Sequence, residues 1–254
     1  SHEAEKDLIS ISEMLGLTII TSHRRQSYYN NLHKNYGGDL GLGVNPKLIN
    51  RINNSDYLVL LGGRLSENPS QGFTLLGIPE HNKKFIHIHP GSEEIGRIYK
   101  PHLGIVSNPI AFVNILNNAL KGLNTKPNSN NELNAFKSHE EYIEWGDMPL
   151  EAPNSGVDLT SAFRTLRKHL DPNTIITNGA GNYAVWGHRL FRFTKVKTQL
   201  APISGSMGYG LPAAIAAKLR FPDNMVIALA GDGCFQMTEN EYATAVQYNA
   251  AVIV

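Results

Sequence analysis

The stretch that decides the fold is MVIALAGDGCFQMTENEYATAVQYNAAVIV (225–254). Its apolar run MVIALA (225–230) has the length and composition of a buried strand, and GDG (231–233) follows at the carboxyl end of that strand. Residues 234–249 are predicted to form a helix, and AAVIV (250–254) is predicted to begin the next strand. A strand, a helix and a second strand in this order predict a parallel βαβ unit.

The rest of the chain repeats this alternation of strands and helices. The predicted strands are 17–21, 56–63, 84–90 and 174–178, and the predicted helices are 3–15, 47–52, 92–99, 109–120 and 157–170, with a glycine-rich entry to an apolar helix over 205–221. The polar stretch 22–46 is predicted to be a loop, and NTKPNSNNELN (124–134) has the composition of a linker. Short strands that alternate with helices indicate an α/β fold with parallel sheets.

Composition excludes several classes of protein. The 254 residues carry 23 basic and 22 acidic side chains, so the net charge is +1 and no large basic surface for nucleic acid is expected. The single cysteine, Cys234, excludes an intrachain disulfide and zinc sites built from several thiolates. No apolar run approaches the roughly 20 residues of a membrane helix, and the N-terminus does not resemble a signal peptide. We therefore expect a cytoplasmic protein with no membrane partner, and, because the chain stops within a predicted strand, a fragment.

The GDG turn has the chemistry of a phosphate and metal site. Gly231 and Gly233 allow backbone N–H groups to approach a phosphate, and the start of the following helix favours its negative charge. Asp232 suits Mg²⁺, which takes one or two carboxylates together with phosphate and water oxygens. An ordinary strand-to-helix turn with an aspartate cap explains an isolated GDG equally well.

Other segments favour the cofactor site over the ordinary turn. NGAGNYAVW (178–186) and GSMGYGLPAAIAAKL (205–219) precede GDG, and DYLVLLGGR (56–64) and FIHIHPGSEEIG (85–96) lie in the first half. Together these motifs resemble the thiamine-diphosphate-dependent enzymes, most strongly their acetolactate synthase-like branch. The order and spacing of the motifs agree along nearly the whole chain.

The resemblance implies an architecture of two doubly wound, mainly parallel-sheet Rossmann-like domains. The middle domain of the family matches 1–122, and residues 123–156 form a linker. The diphosphate-binding domain matches 157–254 and is expected to be incomplete at its C-terminus.

The resemblance also gives a role to each matching residue. Asp232 matches the Mg²⁺ ligand, and the asparagine pair that holds the second metal ligand is expected just beyond Val254. Met207 matches the bulky residue that keeps thiamine bent, and the Gly205 carbonyl matches the acceptor for the aminopyrimidine nitrogen, so these two are the candidate catalytic residues. The residues that match the lining of the diphosphate are Ala180, Gly181, Asn182, Tyr183, Gly231, Gly233 and Cys234.

The activity implied by the resemblance is decarboxylation of a 2-oxo acid substrate, with or without carboligation, as a lyase or transferase that uses thiamine diphosphate and Mg²⁺. The family's acid that protonates the cofactor lies in an N-terminal domain of the partner subunit. A full-length homodimer or homotetramer is therefore expected, and the fragment is expected to be inactive alone. FAD is not expected, because the flavin-binding relatives carry acidic residues where this chain has His89 and Gly91, and after Arg64.

The alternative function is a non-catalytic nucleotide-binding or structural assembly domain, which would need none of Gly205, Met207 and Asp232. Individual residues also have plainer interpretations. Met207 could fill a gap in the core. Cys234 could be a nucleophile at a helix start, but it is interpreted as a backbone contact.

Two other clusters of residues are candidate sites. His87 and His89 share one face of a strand, but with no third ligand evident a metal site is not favoured. Arg24 and Arg25, with three nearby tyrosines, form a sparse basic and aromatic patch that we interpret as a solvated loop. The tyrosines are Tyr28, Tyr29 and Tyr36.

Overall fold

The computed structural model describes residues 2–148 and 155–254, and it confirms the α/β class. In these ranges the named strands pair only in parallel, and α-helices lie between some of them along the chain. The chain divides into two compact units. Unit 1 comprises Ser1–His23 and His33–Ile143, and unit 2 comprises Arg24–Leu32 and Glu144–Val254.

Unit 1 contains two parallel sheets. The elements are α1 (His2–Leu15), β1 (Ile19–Ser22), β2 (Tyr36–Leu40), α2 (Pro46–Asn53), β3 (Tyr57–Leu61), β4 (Lys84–His89), β5 (Leu103–Val106) and α3 (Pro109–Gly122). Strand β1 pairs with β2, and the larger sheet has the order β3–β4–β5. The central strand β4 buries Phe85 and Ile88 completely, as expected for the middle of a parallel sheet.

Helix α4 (Ser129–Asp147) corrects the predicted linker over 124–134. Asn128 accepts a hydrogen bond from the Asn130 amide at 2.8 Å, which is the role of a helix cap. Farther along, the Arg51 guanidinium binds Glu141, and the ring of Tyr142 packs edge-on against Tyr36 at 4.8 Å between ring centres. A polar sequence is helical here because tertiary contacts stabilise it.

Unit 2 is built on one three-stranded parallel sheet. Its elements are α5 (Leu159–His169), β6 (Ile175–Asn178), α6 (Asn182–Leu190), β7 (Gln199–Leu200), α7 (Gly210–Arg220), β8 (Val226–Leu229), α8 (Asp232–Gln236) and α9 (Glu241–Gln247), with the sheet order β7–β6–β8. Ala214 and Ala217 of α7 pack directly against Ile175 and Val226 of the sheet. Small side chains on α7 let the helix lie close to the strands.

Two predicted helices are shorter in the structure. The predicted helix 234–249 is divided into α8 and α9, because the chain turns between them and the Thr238 hydroxyl donates to the Gly208 carbonyl at 3.0 Å. The predicted helix 92–99 is only a 3₁₀ turn over Ser92–Glu94, and Gly96 then takes a φ of +79°, which is outside the helical region. The predicted strand at 250–254 is reduced to one parallel bridge between Ile253 and Ile227.

The predicted loop 22–46 is wrong in two respects. Residues Tyr36–Leu40 form strand β2, which pairs with β1 although it contains two glycines. The segment Arg24–Leu32 belongs to unit 2, and it is largely buried rather than solvated. Its buried members are Arg24, Gln26, Ser27, Tyr29 and Asn31.

None of the helices within 2–148 and 155–254 has the length and apolar character needed to cross a membrane.

Candidate functional site

The candidate site lies at the carboxyl edge of the unit 2 sheet. Strands β6 and β8 are parallel neighbours, with Asn178 opposite Leu229, so the turns that follow them leave the sheet at the same edge. These turns carry GAG (179–181) and GDG (231–233). Open parallel sheets bind ligands at this edge, so topology alone brings the two predicted segments together.

Glycine is required where the backbones approach one another. A Cβ atom on Gly179 would lie 2.9 Å from the Cys234 Sγ and 3.0 Å from the Tyr183 hydroxyl oxygen, and a Cβ on Gly210 would lie 3.2 Å from the Gly179 nitrogen. The Thr177 hydroxyl donates to the Gly210 carbonyl at 2.7 Å, which fixes the start of α7 against the end of β6. Gly179, Gly210 and Thr177 were not among the predicted site residues, although the first two stand in the quoted motifs.

Tyr183 connects the two turns. Its ring lies over both, since a Cβ atom on Gly181 would fall 2.5 Å from the ring and one on Gly231 would fall 3.2 Å from it. Burial raises the pKa of the Tyr183 hydroxyl well above its usual range, and the adjacent Cys234 thiol adds to this rise. The hydroxyl faces that thiol beside Gly179. The Tyr183 side chain is therefore uncharged where it lines the site.

Cys234 is buried behind the GDG turn. Its thiol donates to the Ala180 carbonyl at 3.0 Å and so joins α8 to the turn after β6. Burial raises the pKa of the thiol, but hydrogen bonding by Tyr183 and the Gly208 backbone, with the nearby Arg24 charge, more than offsets this, and the pKa lies below its usual value. Because the thiol is buried, a substrate has no open path by which Cys234 could attack it as a nucleophile.

Asp232 is exposed in the turn that follows β8. One of its oxygens accepts a hydrogen bond from the Gly233 amide at 2.8 Å, which leaves the other oxygen open. The described residues contain no cluster of three or more histidine, cysteine, aspartate or glutamate side chains suited to a metal. The donor set therefore fits Mg²⁺ that is bound through one carboxylate and completed by phosphate and water oxygens.

Met207 and Gly205 lie on the loop between β7 and α7. Met207 is 47% exposed, which does not suit a core filler, and its Cε atom would lie 3.5 Å from a Cβ atom on Gly233. Gly205 has a φ of +73°, with no atom within 4 Å of the place of a Cβ, and its amide donates to the Pro202 carbonyl at 3.1 Å. The structure thus brings Met207 to the GDG turn, whereas Gly205 and Asn182 stand open at the edge.

The residues present fit a diphosphate group. The glycine turns leave no side chain at Gly231 and Gly233, and the first amides of a helix such as α8 have no partner within the helix. One cation that the sequence did not assign to the site, Arg24, is 4% exposed, and Tyr183 and Cys234 act on its charge. No local pattern could have placed Arg24 here, because about 160 residues separate it from Tyr183 in the chain.

A cavity of about 380 Å³ lies at the sheet of unit 1. Arg64 and Arg97 both pair with Glu94, at 3.1 and 3.3 Å, and His87 donates to the Gly63 carbonyl at 2.9 Å. His89 bonds within its own turn, to Gly91. The cavity is lined by Leu60, Arg64, Ser66, Phe85, His87, Glu94, Arg97, Ile98 and Tyr99.

Comparison with known proteins gives a consistent result. Residues 1–116 match the family described as thiamine pyrophosphate enzyme, central domain, and residues 179–254 match the thiamine pyrophosphate enzyme C-terminal TPP binding domain. The acetolactate synthase large subunit of Corynebacterium glutamicum is 27% identical over 249 residues, which cover 96% of this chain and 38% of the relative. The probable acetolactate synthase large subunit of Methanococcus aeolicus is 26% identical over 264 residues, which cover 99% of this chain and 43% of the relative.

The chain thus spans about two fifths of the length of these curated relatives. The two family matches cover residues 1–116 and 179–254, and the second includes both glycine turns. The chain belongs to the thiamine pyrophosphate enzyme family and carries its central domain followed by its TPP-binding domain.

Proposed function

We propose that the intact protein is a thiamine-diphosphate- and Mg²⁺-dependent enzyme that decarboxylates a 2-oxo acid, with or without carboligation, in the manner of an acetolactate synthase. The observation that carries the proposal is the meeting of two glycine turns at one sheet edge, with the exposed Asp232 carboxylate in front of them. The similarity to acetolactate synthase large subunits supports the choice of reaction.

The cofactor would be held at its diphosphate end. Gly231, Gly233 and the backbone of 180–183 would present amides to the phosphate oxygens, and Asp232 would bind the Mg²⁺ that accompanies the diphosphate. The buried Cys234 and Tyr183 would keep the two turns in register by their contacts with each other and with Ala180. These residues bind and orient, and none of them changes protonation in this role.

At the other end, Met207 and Gly205 would act on the ring system. Met207 offers a half-exposed apolar side chain next to the GDG turn, which would exclude water and keep the rings bent toward each other. The Gly205 carbonyl would accept a hydrogen bond from the amino group of the pyrimidine. When bound, thiamine diphosphate supplies the carbon nucleophile and electron sink that loss of CO₂ from a 2-oxo acid requires.

The organisation of the intact protein follows the same proposal. Residues 1–122 would form the central domain and 157–254 the diphosphate-binding domain, joined by 123–156. A homodimer or homotetramer would complete each site with the partner's N-terminal domain, so this chain alone would be inactive.

The cavity in unit 1 favours a second candidate function, a non-catalytic nucleotide-binding or assembly domain. Arg64 and Arg97 could face phosphate groups there, but both are already paired with Glu94. We propose that this unit holds no tightly bound FAD. A yellow protein with a flavin absorption spectrum would contradict that statement.

The decisive experiment is a decarboxylation assay on the intact protein. CO₂ release from pyruvate and longer 2-oxo acids should require both thiamine diphosphate and Mg²⁺, and it should disappear in Asp232→Asn. Asp223→Asn is the matched control, since Asp223 is exposed on the same unit but precedes β8, whereas the GDG turn follows the other end of that strand. CO₂ release that is independent of the cofactor, or retained in Asp232→Asn, would refute the proposal.

A further inference from the structure

The segment 24–32 is built into unit 2 and presents one buried cation to the candidate site. Arg24 is 4% exposed, its Nη1 donates to the Pro202 carbonyl, and its Nε has no hydrogen-bond partner in the described residues. Arg24 also has a φ of +58°, a left-handed conformation that is uncommon for a residue with a side chain. The backbone is thus held in an unusual state at the residue that carries the charge.

Several hydrogen bonds fix the segment on the sheet of unit 2. Gln26 pairs with Gln199 of β7, through their side-chain amides. The side-chain oxygen of Asn31 accepts a hydrogen bond from the backbone amide of Phe193 at 2.9 Å, and the backbone amide of Asn31 donates to the Phe193 carbonyl at 2.8 Å. Arg25 donates to the Ala201 carbonyl at 3.3 Å. Bonds at both ends of the segment fix the position of Arg24.

Within residues 2–148 and 155–254, no carboxylate pairs with the charge on Arg24. The titratable groups that act on it are Tyr183 and Cys234, which belong to the two turns of the candidate site, and its contact with Pro202 is to a neutral carbonyl. Burial lowers the pKa of the Arg24 guanidinium, although a guanidinium remains charged in proteins. Burying a cation without an anion is unfavourable, so buried charges are ordinarily paired.

We propose that Arg24 is a positioning residue for the diphosphate group of the cofactor. Its guanidinium interacts electrostatically with Tyr183 and Cys234, which belong to the turns 179–183 and 231–234. It also shares the Pro202 carbonyl with the Gly205 amide of the loop that carries Met207. The diphosphate, as the anion bound at the sheet edge, neutralises this charge. The inference rests on the proposed function and adds to it a residue from the segment 24–32, outside the glycine motifs.

The test compares two neighbouring cations in the intact protein. Arg24→Met and Arg25→Met remove the same charge from adjacent positions, but Arg25 is only half-buried and reaches the Ala201 carbonyl rather than the two turns. Titration calorimetry in the presence of Mg²⁺ would measure the affinity of each variant for thiamine diphosphate. Thiamine, which lacks the diphosphate, would serve as the second probe. Circular dichroism would establish that each variant is folded.

We expect Arg24→Met to weaken thiamine diphosphate binding by about tenfold or more, and Arg25→Met by less than about threefold, in line with the loss of one buried rather than one surface charge contact. Thiamine binding should be equal in both variants, because thiamine lacks the anion. Arg24→Lys, which keeps the charge, should restore affinity to within about threefold of the wild type.

Each alternative outcome has a definite meaning. Wild-type protein that does not bind thiamine diphosphate overturns the proposed function and this inference with it. Wild-type binding with equal losses in Arg24→Met and Arg25→Met, or equal losses for both probes in Arg24→Met, overturns this inference alone. If Arg24→Met does not fold, Arg24→Lys decides, and a tenfold loss in that variant would overturn the role of the charge.

Discussion

In both three-stranded sheets, strands lead into glycine turns at their carboxyl ends. The two sheets differ in whether the arginines near these turns are paired with a carboxylate. In unit 1, β3 leads into Gly62 and Gly63, and the cations Arg64 and Arg97 share the carboxylate of Glu94. In unit 2, β6 and β8 lead into glycine turns, and among the residues that the structure describes the buried Arg24 pairs with no carboxylate. Unit 1 neutralises its cations internally, whereas unit 2 leaves a positive charge for a bound anion. The same topology therefore carries different chemistry, which depends on the side chains.

The glycines at the two edges also serve different purposes. A Cβ atom on Gly62 would lie 2.7 Å from the Pro109 ring, so this glycine admits the start of helix α3. A Cβ atom on Gly179 would instead meet the Cys234 thiol and the Tyr183 hydroxyl. At the first edge the glycine closes the fold, and at the second it brings together the parts of a binding site.

The largest effect is expected from Asp232→Ala, which would remove the metal-binding carboxylate from unit 2. We expect thiamine diphosphate affinity in the presence of Mg²⁺ to fall by about a hundredfold or more, equivalent to ~2.7 kcal/mol. Because Asp232 is exposed, the midpoint of thermal unfolding without cofactor should stay within about 2 °C of the wild type. Calorimetry that finds the affinity unchanged would remove the central residue of the site, and Asp223→Ala supplies the matched control.

Gly179→Ala should have the next largest effect, since its methyl group has no space between the turns. We expect the free energy of unfolding to fall by about 1–3 kcal/mol, the usual cost of overpacking, with a parallel loss of cofactor affinity. The control is Gly122→Ala at the end of α3, where no atom lies within 4 Å of the added methyl group and the change should be neutral. Urea unfolding of both variants makes the comparison, and equal stabilities would show that the turns are not tightly packed.

The sequence was informative where local pattern and topology agree. The apolar strand 226–229 and the glycine turn after it were predictable, because a buried parallel strand needs an apolar run and its exit needs glycine. Asp158 caps the predicted helix α5 by accepting a hydrogen bond from the Thr160 amide at 3.0 Å, a local pattern that aspartate favours. Each of these features is decided by residues within a few positions of one another.

The sequence was misleading where partners lie far away in the chain. The segment 24–32 is polar and aromatic, which is typical of a solvated loop, but its partners Phe193 and Gln199 are about 160 to 170 residues downstream. Strand β2 contains Gly37 and Gly38, which disfavour a strand, and it forms because β1 provides a parallel neighbour. Tertiary pairing outweighed local preference in both places.

Glu94→Gln tests the comparison from the side of unit 1. Removing the shared carboxylate leaves Arg64 and Arg97 unpaired and makes this edge resemble that of unit 2. Inorganic diphosphate, titrated with the unit 2 site saturated by thiamine diphosphate, should bind about threefold to tenfold more tightly, ~1 kcal/mol. Glu93→Gln is the control, because Glu93 is exposed, whereas the two arginines pair with Glu94. Equal affinities in the two variants would mean that Glu94 does not decide the charge of this edge.

The smallest effect is expected from His87, which is buried at the same edge. Burial lowers the pKa of its imidazole below the usual value, and the neighbouring His89 adds to this, whereas the hydrogen bond to Gly63 and the charge of Glu94 oppose it. The unfolded chain therefore binds a proton more readily than the folded chain. It follows that His87 keeps its full contribution to stability above the unfolded pKa of about 6.5 and loses it as the pH falls through the folded pKa.

His87→Gln should therefore make unit 1 less sensitive to acid. Glutamine can still donate to the Gly63 carbonyl, so stability at pH 8 should change little, while the loss of stability below about pH 6.5 should become shallower by at most ~1.4 kcal/mol per pH unit, the value for one proton. Urea unfolding at a series of pH values measures that slope, with the exposed His102→Gln as the control for loss of a histidine. If both variants keep the wild-type slope, the acid sensitivity of unit 1 arises from groups other than His87. The sheet edge of unit 1 would then not differ from that of unit 2 by carrying a pH-sensitive group.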